Sequence, residues 1–124
     1  MASEISLSGL LAYKDALGTS LALQTPISTT DSPASLNAIQ QKQLVTTSAV
    51  ALNLGSLASL GWFMIINRDL TNYVTVLNAT GGKVIGKILP GKSYGPVYAG
   101  SDVTAPFVQA NVASCEIEIL ACAQ

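Results

Sequence analysis

Apolar and polar positions in this chain alternate in short runs, and turn-forming residues separate the runs at intervals of roughly 8 to 12 residues. Ile5, Leu7, Leu10 and Leu11 alternate loosely with serines and Gly9, which predicts a first strand, or an N-terminal arm over residues 1–14. Leu21 and Leu23 share one face of a short strand over 20–24. Residues 25–37, TPISTTDSPASLN, are rich in Pro, Ser and Thr and predict a long loop.

Residues 43–54 carry many β-branched side chains and predict a third strand, while 34–45 also suit a short helix. Residues 60–67 form a continuous apolar strand, with 72–77 as its hairpin partner across the polar stretch Asn67-Arg68-Asp69-Leu70-Thr71-Asn72. A turn cluster at 78–82 leads into an alternating strand over 83–89, which ends at Pro90-Gly91. A strand over 93–99, broken at Gly95-Pro96, is followed by a loop and by strands over 107–112 and 115–122. In the last, Cys115, Ile117, Ile119 and Ala121 face one way, and Glu116 and Glu118 the other.

This grammar predicts a single all-β domain over 1–124. Its fold class is an antiparallel β-sandwich or jelly-roll-like barrel of about 8 short strands with an N-terminal arm. Residues 60–89 read locally as a meander.

Charge sharpens the picture. Lys and Arg number 6, Asp and Glu 7, and the charged fraction is 10%, against about 25% in ordinary soluble domains. A free monomer with so few charges is prone to association, so partner subunits are expected to cover much of its surface. Lys14, Lys42, Lys83, Lys87, Lys92 and Arg68 are spread singly. Nucleic-acid binding needs clustered cations, so no nucleic-acid partner is expected. The uncharged stretch 43–67 is too rich in Ser, Thr, Asn and Gly for a membrane span, and MASEISLSG lacks the basic start of a signal peptide.

Candidate chemistry is thin. The chain has no histidine, which rules out a Ser-His-Asp or Cys-His triad and any His-containing metal site. Residues 86–93, GKILPGKS, match the spacing of a phosphate-binding loop. That mechanism needs a helix after the loop, and Tyr94-Gly95-Pro96 starts none. A Pro-Gly turn between strands is the better reading. Asn67, Asp69 and Asn72 offer oxygens to a hard cation, but with a single carboxylate they read as turn caps. Glu116 and Glu118 read as a solvated strand face. Cys115 and Cys122 on one strand lie roughly 23 Å apart at the usual rise, too far for a disulfide, and free thiols fit a reducing cytoplasm. No cofactor, metal or catalytic residue is expected. The aromatic residues Trp62, Phe63, Tyr73, Tyr94, Tyr98 and Phe107 suit a core or subunit interface, with a sugar platform as the alternative.

One progression runs through the middle of the chain: Leu54-Gly55, Leu60-Gly61-Trp62, Ile65-Ile66-Asn67-Arg68-Asp69, Asn72-Tyr73-Val74 and Ile88-Leu89-Pro90-Gly91-Lys92. Over residues 50–95, and in the closing strand 116–120, it resembles small virion proteins of tailed phages. The resemblance implies a non-enzymatic capsid decoration (cement) protein, typically a homotrimer. Such a protein is assembled in the host cytoplasm and bridges major capsid proteins on the virion surface. A phage tail or fibre module that binds host glycan, with Tyr94 and Tyr98 in its site, is the alternative. Ile5, Leu7, Leu10, Leu11, Tyr13, Ile27, Tyr94 and Tyr98 are the interface candidates.

Overall fold

The computed structural model describes residues 5–9, 12–14, 16, 20–22, 27–31, 38–57 and 59–124. The chain divides into two compact units, Met1–Ala34 and Ser35–Gln124. Among the described residues both are built from strands and turns, with no helix.

The first unit holds β1 (Ile5–Gly9), β2 (Ala12–Lys14), β3 (Ser20–Ala22) and β4 (Ile27–Asp31). β1 pairs antiparallel with β4, and β2 with β3. The two pairings are nested and form two separate two-stranded sheets. β1 and β2 both fall within the predicted arm over 1–14. The predicted loop over 25–37 is corrected in part, since β4 occupies its middle. Ile27, Thr29 and Thr30 are β-branched, every residue of β4 has a partner on β1, and Pro26 and Pro33 flank the strand instead of interrupting it.

The second unit holds β5 (Ala38–Val45), β6 (Val50–Ala51), β7 (Trp62–Asn67), β8 (Val74–Leu77), β9 (Val84–Ile88), β10 (Ser93–Tyr98), β11 (Phe107–Ala110) and β12 (Cys115–Cys122). Two four-stranded antiparallel sheets form, ordered β10-β7-β12-β5 and β6-β11-β8-β9. The strands nest from the outside in: β5 with β12, β6 with β11, β7 with β10, and β8 with β9. Only the β6–β11, β8–β9, β7–β10 and β5–β12 pairings, joined by β7–β12 and β8–β11, are needed to build both sheets. This is a long antiparallel hairpin rolled into a two-layer sandwich, the jelly-roll order. The sheets do not close into a barrel.

Three sequence expectations are overturned here. The single strand expected over 43–54 is split between β5 and β6, which lie in different sheets. The stretch 34–45 is not helical where described, because all eight residues of β5 find partners on β12. β8 is not the hairpin partner of β7; it lies in the other sheet, and among the described strands of this unit β8–β9 is the one pair of consecutive strands that are neighbours. The connection from β7 to β8 therefore crosses between layers.

Inward side chains fill the space between the sheets. Val45, Ile65, Val74, Val76, Val108, Ile117 and Ile119 are fully buried, and Phe63 and Ile88 nearly so. Burying each stabilises the fold by roughly 1.5–3 kcal/mol before the entropy of ordering is counted. The predicted alternation in β12 holds, with Cys115, Ile117, Ile119 and Ala121 buried and Glu116 exposed.

Each lateral margin of the sandwich is finished differently. Between β9 and β10, the Tyr94 ring lies over Gly86, and a Cβ there would come within 2.5 Å of it. Between β5 and β6, glutamine side chains substitute for strand pairing. Gln43 donates to the Ala51 carbonyl at 2.9 Å and accepts from the Asn53 amide at 2.8 Å, and Gln41 donates to the Asn53 carbonyl.

Candidate functional site

The outer face of the β10-β7-β12-β5 sheet carries the side chains that alternate with the core. From β7 these are Trp62, Met64 and Ile66, all half-buried. From β12 they are Glu116, Glu118, Leu120 and Cys122. Leu120 lies beside Met64 in the ladder and remains 45% exposed. Tyr98 lies opposite Trp62, its ring meeting the indole edge-on at a centroid distance of 5.4 Å. These residues make one half of the face apolar.

The other half is charged and internally paired. Arg68 donates to Glu118 from Nε at 3.2 Å and from Nη2 at 2.8 Å, and Lys42 sits 3.7 Å from Glu116. The Arg68 guanidinium holds the Glu118 carboxyl below its usual range, by hydrogen bonding first and by charge second. Exposed pairs of this kind contribute little stability each. Their consequence here is that Arg68, Lys42, Glu116 and Glu118 satisfy one another, which leaves the apolar half as the sticky part of the face.

A bulge decides which tyrosine reaches this face. Tyr94 pairs with Ile65 and Val97 with Phe63, and the register shifts between Tyr94 and Val97. Strand parity makes residues 94 and 98 neighbours on one face, but the bulge reverses it. Tyr94 turns inward, against Phe63 at 5.8 Å and over Gly86, while Tyr98 stays outside at 47% exposure. The two tyrosines are not brought together, so a glycan site containing both is corrected.

The other predicted interface residues lie in the first unit. Leu7 is half-buried. Ile5, Tyr13 and Ile27 fall within strands, but their side chains lie outside the described residues, as do Leu10 and Leu11 entirely. Sequence reasoning missed Leu44 at 65% exposure, Leu70 at 90%, Val84 at 63%, Leu89 at 52%, Val112 at 76% and Leu120. Parity with Glu116 and Glu118 carried the signal for Leu120. For Val84 it was hidden by a second bulge, on β9 opposite Val76 and Leu77 of β8, which leaves Ile85 without a partner.

The stretch from Asn67 to Asn72 is an arch between layers, not the tip of a hairpin. Asn67 is fully buried. Its side-chain amide donates to the Asn72 carbonyl at 2.8 Å and to the Ile88 carbonyl at 3.1 Å, and its Oδ1 accepts from the Asp69 amide at 3.0 Å. Asp69 Oδ2 accepts from the amides of Thr71 at 3.0 Å and Asn72 at 2.6 Å. Those backbone bonds hold the Asp69 carboxyl below its usual range. Asn67 Oδ1 and Asp69 Oδ2 are thus engaged as turn caps. Among the described residues, no group of three or more His, Cys, Asp or Glu is placed to hold a metal.

The phosphate-loop spacing also resolves into a turn. The Lys92 amide bonds the Leu89 carbonyl at 3.0 Å, and Gly91 takes the left-handed φ of +72° that this turn requires after proline. β10 follows, so no helix N-terminus meets the loop.

Both cysteines are free and face opposite ways along β12, Cys115 buried and Cys122 half-buried. Burial raises both thiols above their ordinary value, with a smaller contribution from Asp69 at Cys115. Both are therefore held as thiols, the less reactive form.

No protein-family model, curated protein or solved structure matches this chain.

Proposed function

We propose that this protein is a non-enzymatic structural subunit of a phage particle, a capsid decoration protein that bridges major capsid proteins. The observation that carries the reading is the distribution of exposed apolar side chains. Leu44, Tyr98 and Leu120 stand on one sheet, Val84 on the other, and Leu70, Leu89 and Val112 in connections between strands. Scattered single apolar residues are ordinary on a protein surface. Here they occur in a chain with a charged fraction of only 10%, in which Lys42 pairs with Glu116 and Arg68 with Glu118. Such a surface suits a subunit covered by neighbours on several sides.

The jelly-roll order supports the reading by analogy, since capsid and lectin domains use it. Bridging would work by area. Each contact adds association free energy, and the symmetry of a shell repeats it many times. The test is to assemble particles with and without the protein and heat them. Decorated heads should release their genome at a higher temperature, and equal release temperatures would overturn the proposal.

A further inference from the structure

The four sheet edges of the second unit are not equally protected. β10 carries a bulge and Pro96. β6 is only two residues long. β9 is bulged, carries Lys87 and lies against β10 through Gly86 and Tyr94. Short strands, bulges, prolines and lysines are the usual guards against edge-to-edge pairing. β5 has almost none of these. It runs eight residues in unbroken register with β12, holds no proline or bulge, and carries the single charge Lys42. Among the described residues, no strand pairs with its other side.

The backbone groups that β5 leaves free can be identified. The Arg68 amide bonds the Glu116 carbonyl, and the Gly61 amide bonds the Cys122 carbonyl. Even-numbered residues of β12 therefore direct their backbone groups toward β7, and odd-numbered ones toward β5. In an antiparallel ladder, residues that face each other as a bonded pair exchange both bonds. Cys115, Ile117, Ile119 and Ala121 thus bond Val45, Gln43, Gln41 and Ile39. The N–H and C=O groups of Ala38, Gln40, Lys42 and Leu44 point out of the free edge.

We propose that this edge pairs with β5 of a second copy of the chain, antiparallel across a two-fold axis at Gln41, joining two four-stranded sheets into one continuous sheet. The occupant is argued from self-complementarity. With the axis at Gln41, Ala38 faces Leu44 of the second copy and Gln40 faces its Lys42. Every outward backbone group then finds a partner, for about eight bonds between chains. The alternative register that centres on Lys42 sets the two ammonium groups directly opposite, which is destabilising.

Side chains fit the same register. Leu44, 65% exposed in the single chain, meets Ala38 of the second copy, whose ladder neighbour on the same outer face is Cys122. The apolar half of one copy's outer face is thereby extended toward the other. The contact is isologous and closes at two copies, so a dimer, not a trimer, is the state expected of the free protein.

The test is the mass of the purified full-length chain by light scattering on a sizing column, with no shell present. Failure of this contact is therefore separable from failure of the decoration reading. The wild type should run at twice the chain mass of 12.8 kDa. Gln40→Pro removes an outward N–H that no bond among the described residues uses and blocks the ladder. Leu44→Lys puts a cation on an exposed position and places it against the second copy's apolar edge. Both variants should retain the native Trp62 emission and fall to the single-chain mass. A monomeric, trimeric or open-ended wild type would overturn the proposal, as would a folded Leu44→Lys that stays dimeric. If Gln40→Pro fails to fold, Leu44→Lys decides alone.

Discussion

Asn67 on β7 donates its side-chain amide to the carbonyl of Ile88 on β9, 3.1 Å away in the opposite sheet. The same amide also reaches the carbonyl of Asn72 at the far end of the arch. One buried side chain thereby joins the two layers and fixes the path of the chain between them. The backbone of Asn67 adds to the junction, donating to Lys92 at 2.9 Å and accepting from Gly91 at 3.1 Å.

Asn67→Ala should therefore be costly. It removes the side-chain bonds to the carbonyls of Ile88 and Asn72 and the acceptor of the Asp69 amide, for a loss of about 2–4 kcal/mol. Chemical denaturation monitored at Trp62 checks this. A loss under about 0.5 kcal/mol, the range of ordinary surface substitutions, would contradict the junction described here.

Acid should weaken the arch. Asp69 and Glu118 both have carboxyls held below their ordinary values of 3.8 and 4.5 in the folded chain. A carboxyl depressed on folding contributes stability above its unfolded pKa, and that contribution fades as pH falls through the folded one. Melting temperature should drop between pH 5 and pH 2, taken as about the span over which such groups protonate. Asp69→Asn, which has no carboxyl to protonate at that position, should show a smaller drop. An equal drop in both proteins would remove Asp69 from the account.

Gly86 is required because Tyr94 occupies the space that a Cβ would fill. Gly86→Ala should destabilise by about 1–3 kcal/mol through overpacking. Tyr94→Leu in the same chain should recover part of that loss, because residues in contact do not add independently. Strict additivity in the double-mutant cycle would show that the ring is not what excludes the side chain.

The two thiols should respond differently to a labelling reagent. Cys122, half-buried on the outer face, should react slowly in the native protein, and Cys115, fully buried, only on unfolding. Mass spectrometry of the labelled peptides distinguishes them. Equal native rates would contradict the orientation of β12.

Much of this architecture is legible in the sequence, and the failures have physical causes. β12 is readable because one of its faces is all core and the other begins with two glutamates. The Pro90-Gly91 turn is readable because proline and a left-handed glycine dictate its type. The path from β7 to β8 is not, because a polar run between two apolar strands looks the same whether the chain reverses in one sheet or crosses to the other. What decides is the burial of Asn67, a tertiary fact. Tyr94 and Tyr98 were separated by a bulge that strand parity alone does not reveal, and Ile85 was displaced by another. The glutamines of β5 look like an ordinary polar stretch until the backbone of residues 51–53 is set beside them.

The central claim, a subunit that decorates a shell, is tested most directly by its copy number. Quantitative mass spectrometry of purified virions should find the protein in fixed proportion to the major capsid protein, at hundreds of copies per particle, an order of magnitude set by the symmetric repetition of a shell. A handful of copies per particle would contradict the claim and place the protein at the tail.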